Sequence, residues 1–78
     1  KESIVFVEVK TRRSRVWGDP IDAISDYKMK QVIKGASLYF DENDCGNLEP
    51  RFDIVSIVID GGDVEIEHLD DAFYPTPE

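Results

Sequence analysis

The sequence is short of the residues that staple or anchor a small protein. It holds one cysteine, Cys45, so no intrachain disulfide can form and a disulfide-scaffolded extracellular fold is excluded. A lone thiol suits a reducing compartment, and the expected location is the cytoplasm. Cys45 sits among acids with no electropositive neighbour in sequence to activate it, so it is expected to be inert. There is one histidine, His68, with no cysteine near it, so a zinc site is not expected. No apolar run approaches the roughly 20 residues of a membrane span. No signal-peptide pattern is present.

Basic residues are also scarce, nine against seventeen acids, for a net charge of −8. Spread evenly, that charge would argue against polyanionic partners. It is not even. Residues 10–34 carry seven basic groups against three acids, net +4, whereas residues 35–78 carry Arg51 against twelve acids, net −11. A dipolar chain can present a basic strip while the whole remains acidic. The acidic half reads as a solvated surface.

Seventy-eight residues suffice for one small domain, which buries about 60–65% of its unfolded surface. The chain opens at Lys1 almost directly into a strand, as expected of a piece of a longer polypeptide. Ile4 to Thr11 is β-branched and aromatic without Gly or Pro, and predicts a strand. Alternation puts Ile4, Phe6, Glu8 and Lys10 on one side and Val5, Val7, Val9 and Thr11 on the other. A carboxylate and an ammonium therefore project together from the end of an otherwise apolar strand. Arg12-Arg13-Ser14-Arg15-Val16-Trp17 follows as a basic loop with one aromatic, closed by Gly18 and Pro20.

Ser25 is an N-cap candidate for a helix with Asp26 in its first turn. Met29, Val32, Ile33, Ala36 and Phe40 recur at helical spacing as its buried stripe. Lys30 and Lys34 fall on the solvated side, and Lys28 at the stripe's edge, where it can lean over a strand end. Tyr39 and Phe40 read as packing residues. Asn43 to Pro50 reads as a loop. Arg51 to Asp60 is nearly continuous in apolar residues and predicts a central strand covered on both faces. Gly61-Gly62 marks a hairpin, and Asp63 to Leu69 alternates as a half-exposed strand near an edge. Asp71 to Glu78, with Pro75 and Pro77, reads as an irregular tail. The order is strand, helix, strand, strand. The expected fold is α/β, a small mixed sheet with the helix on one face, with residues 1–74 forming a single domain.

Glu-x-Lys on one strand face has a definite chemical use. The carboxylate can ligate Mg²⁺, while the lysine orients an attacking water or stabilises developing phosphate charge. The same pair is also a simple ion pair on many exposed strands. Arg12, Arg13 and Arg15 can contact a phosphate backbone with Trp17 as a stacking surface, or form a solubilising loop. Asp53 either assists the site from the neighbouring strand, pairs with Arg51, or caps a turn.

Ile4-Val5-Phe6-Val7-Glu8-Val9-Lys10-Thr11-Arg12, the helix around Lys28, and Arg51-Phe52-Asp53-Ile54-Val55 with the hairpin ending Ile66-Glu67-His68 resemble the YraN-like bacterial proteins. That family is placed in the PD-(D/E)xK restriction-endonuclease-like superfamily, with affinity to Holliday-junction resolvases. The resemblance runs from about residue 2 to residue 74. It implies the C-terminal part of a restriction-endonuclease-like core and a Mg²⁺- or Mn²⁺-dependent endonuclease activity on DNA, branched or structured. It implies Glu8 as the metal-binding acid, the Val9 carbonyl as a further ligand, Lys10 as the catalytic lysine and Lys28 as the helix lysine near the site. Arg12, Arg13 and Arg15 would join Lys28 in holding DNA. The family's preceding acid-bearing strand and N-terminal helix have no counterpart in the sequence. These residues alone are thus expected neither to cleave DNA nor to hold a metal tightly. A non-catalytic nucleic-acid-binding or protein-interaction domain is the alternative on the same fold, and a homodimer is a further expectation.

Overall fold

The computed structural model describes residues 2–13 and 24–75. Strand β1 spans Ser3–Arg12, helix α1 Asp26–Glu42, strand β2 Glu49–Asp60 and strand β3 Asp63–Phe73. The order is the one the periodicity predicts. The sheet has β2 in the centre, parallel to β1 and antiparallel to β3.

Each element has a local cause. The Ser25 hydroxyl oxygen accepts the Lys28 N–H at 3.1 Å, which satisfies one free donor of the first turn. At the other end, the Asn43 amide donates to the Tyr39 carbonyl at 2.9 Å. The β2–β3 turn is the two-residue Gly61-Gly62, with φ of 58° and 93°. Positive φ at both positions matches the right-handed twist of a hairpin and is open to glycine without strain.

The register sorts side chains by face. Phe6 pairs with Phe52, Glu8 with Ile54 and Lys10 with Ser56, so these share the face that α1 covers. The core there is Ile24, Ala36, Phe52, Ile54 and Phe73, with Phe6, Met29, Val32, Ile33 and Leu69 packed against it. An aromatic row crosses all three strands. Phe6 stacks on Phe52 at 5.7 Å, Phe52 on Phe73 at 5.3 Å, and Tyr39 and Phe6 meet in a T-shaped arrangement at 5.8 Å. Such contacts add to area burial and lock the helix over the sheet.

Two expectations need correction. Central strand β2 is covered on one face among the described residues, not both. On the other face Val5, Val7, Val9, Ile59, Val64 and Ile66 remain exposed. A continuous apolar run reports the strand's central position, and the cover is a matter of which elements lie over it. The tail expected from Asp71 is instead the end of β3, which runs to Phe73. A bulge hides it from a period-2 reading. Phe52 pairs with Phe73 but Ile54 with Leu69, so Asp53 alone faces Asp70, Asp71 and Ala72. No helix among the described residues is long and apolar enough to cross a membrane.

Candidate functional site

Glu8 and Lys10 emerge at the C-terminal end of β1, beside the first turn of α1. Together with Ile24, Ser25, Tyr27 and Lys28 they line an open concavity of about 510 Å³. Val9 lines it too. Its side chain points to the opposite sheet face, since it pairs with Val55, so its main chain is what reaches the concavity. The helix begins here and runs back over β1 to Tyr39 and Phe40 at Phe6. The positive end of its macrodipole therefore adjoins the charged pair.

Lys28 leans to within 3.9 Å of a Glu8 carboxylate oxygen. The Ser25 cap sets the helical frame that aims it. The lysine side chain is half exposed, and a pair of that kind is worth about 0–1 kcal/mol. That is too little to explain a carboxylate at the end of an apolar strand as a stabilising device. Arg12 continues the row on the same face, opposite Val58. Its Nε and Nη1 are buried without a hydrogen-bond partner among the described residues. Unsatisfied buried donors cost about 1–3 kcal/mol, more when charged.

The structure does not bring every predicted residue together. Arg13 lies by Thr11, Ile59 and Gly61, away from Glu8. Arg15 and Trp17 lie outside the described residues. For a hard cation such as Mg²⁺ or Mn²⁺, the Glu8 carboxylate and the Val9 carbonyl are oxygens of the right kind. They are only part of a coordination sphere, and no cluster of three or more His, Cys, Asp or Glu suited to a metal occurs among the described residues.

A second polar cluster lies on the opposite sheet face. The Asp53 carboxylate is closed off from solvent. It accepts from Arg51 Nε at 2.9 Å and Nη2 at 2.7 Å, and from the Asp71 N–H at 2.9 Å. His68 Nε2 lies 2.7 Å away. The Arg51 hydrogen bonds hold the Asp53 carboxyl well below the usual carboxylate range, aided by the Asp71 amide and His68, against the opposing push of burial. Asp71 adopts φ 54° to present its N–H, a conformation Asp tolerates better than most residues. Of the three options open for Asp53, pairing with Arg51 is realised. His68 is not legible in the sequence as its partner, because 15 residues separate the two and only the β2–β3 register brings them together.

Comparison with known proteins places the chain. Residues 1–57 match the model of Uncharacterised protein family UPF0102. The chain belongs to this family. UPF0102 is the YraN family of the restriction-endonuclease-like superfamily. Among its relatives, a UPF0102 protein of Pelobacter propionicus is 42% identical over 94% of this chain and 53% of its own length. One from Flavobacterium psychrophilum is 43% identical over 95% of this chain and 62% of its own. A third, from Phocaeicola vulgatus, is 35% identical over 96% of this chain and 61% of its own. The chain thus spans between 53% and 62% of the length of these UPF0102 relatives. No solved structure matches it.

Proposed function

We propose that this chain belongs to a metal-dependent nuclease-type domain acting on the DNA backbone. One observation carries the reading: β1 and α1 converge so that Glu8, Lys10 and Lys28 line one open concavity, with Glu8 and Lys28 3.9 Å apart. In the whole protein, Glu8 and the Val9 carbonyl would contribute ligands to a Mg²⁺ or Mn²⁺ ion, which supplies Lewis-acid chemistry when bound. The chain's own groups act on the phosphate. Lys10 donates to the attacking water and to the phosphoryl oxygens as charge develops there. Lys28 and the Arg12 guanidinium hold non-bridging oxygens in place.

The test uses the full-length protein with branched and linear DNA in Mg²⁺ or Mn²⁺. Glu8→Gln and Lys10→Ala are each expected to lower cleavage by about 100-fold or more. Cleavage unchanged in both variants removes the assignment.

A second reading is a non-catalytic nucleic-acid-binding domain on the same fold, because a fold does not by itself establish activity. In that case no metal produces cleavage, while Lys10→Ala and Arg12→Ala still weaken DNA binding and flatten its salt dependence.

A further inference from the structure

The other flank of α1 carries a groove that the Glu8 site does not use. It is an open concavity of about 630 Å³ between α1 and the end of β3. Met29, Ile33 and Phe73 form its apolar floor, and Lys30, Lys34 and Tyr74 stand around it. The two lysines are one helical turn apart, about 6 Å along the axis. Both are exposed, and neither is in an ion pair among the described residues. Asp26 is the one carboxylate among the described residues of the lining. Tyr74 is 69% exposed.

The chemistry of the lining selects its occupant. Two ammonium groups one turn apart favour an anionic, extended partner. An aromatic ring standing in solvent above an apolar floor favours a partner with flat π faces. A single strand of nucleic acid has both, and proteins that hold one combine basic tracks with aromatic platforms. The same combination recurs on the first flank of the helix, where Tyr27, 73% exposed, adjoins Lys10 and Lys28. We propose that the α1–β3 groove binds an unpaired single strand, stacking a base on Tyr74 and seating phosphates on Lys30 and Lys34. Helix α1 then separates two nucleic-acid contacts, one at Glu8 and one here. The groove's role rests on the nucleic-acid reading above but not on cleavage.

Fluorescence anisotropy of the full-length protein with a labelled oligothymidylate, in chelator, tests it. The double variant Lys30→Ala/Lys34→Ala is expected to bind about tenfold more weakly. Its log–log salt slope should fall by about 1.4, at about 0.7 per lysine for single strands. Tyr74→Ala should weaken binding about tenfold with the slope unchanged, and Tyr74→Phe should retain it. Wild-type affinity and slope in both the lysine and Tyr74→Ala variants would overturn the proposal. So would a change in sedimentation alone, which assigns the groove to a second copy, or competition by polyglutamate in place of the oligonucleotide, which assigns an acidic protein segment. Single-strand binding lost in the groove variants while the wild type cleaves nothing would keep the proposal and remove the nuclease reading.

Discussion

On the sheet face under α1, Phe52, Ile54 and Phe73 are at most 6% exposed. On the reverse face Val7, Val9 and Ile66 are 49%, 55% and 66% exposed. The residue classes are similar and the strands are the same, so apolar identity alone does not decide burial. Where the helix lies over the sheet does. Asp53 breaks the pattern from the other side. It sits on the open face yet is fully buried, because Arg51, His68 and the bulged end of β3 close around it. One face is held by hydrophobic packing, and the other has its buried point held by charge and hydrogen bonds.

Substitutions can separate the two. Phe52 touches Phe6 and Phe73 and is 2% exposed, so Phe52→Ala should have the largest effect, about 3–5 kcal/mol in denaturant unfolding. A loss under 1 kcal/mol would mean that the covered face is not the core. Next is Asp53→Asn, which leaves Arg51 without its charged partner. Arg51 is about a third exposed, and solvent screening reduces the cost to about 2–3 kcal/mol.

Asp53 also gives the open face a pH signature. Its folded pKa is depressed, so its contribution is present above the unfolded value of about 4 and is lost as pH falls below that value. Melting temperature should drop more steeply below about pH 4 in the wild type than in Asp53→Asn. Parallel profiles would show that the cluster does not couple to folding. Ser25→Ala removes the helix cap on the covered side and should cost about 1 kcal/mol by thermal unfolding. The smallest effect is expected on the open face, where Val7→Thr should change stability by no more than about 0.5 kcal/mol. A much larger loss there would reveal packing on Val7 and erase the difference between the faces.

How far the sequence reached differs by element. Strand β1, helix α1 with its Ser25 cap, and the Gly61-Gly62 turn were legible because each depends on local periodicity and on residues with special backbone chemistry. The pairing of Glu8 with Lys10 on one face was legible for the same reason. The approach of Lys28 to Glu8 was visible only as an edge position on the helix. Its 3.9 Å distance required the helix to run back across β1. The last residues of β3 were missed because two extra residues opposite Asp53 interrupt the alternation. The arginine-rich composition after Thr11 predicts a loop from Arg12, yet the strand extends through it and carries it into the row with Glu8 and Lys10.

The sequence by itself determined what each short segment prefers: three strands, a capped helix, a glycine turn, and a carboxylate and an ammonium on one strand face. Those follow from interactions a few residues apart. Only the tertiary structure decided which sheet face is covered, that Asp53 meets His68 across the β2–β3 ladder and the Asp71 N–H at its bulge, and that α1 has a lysine-bearing concavity on each flank. These depend on register and docking between segments far apart in sequence, which local propensity does not encode.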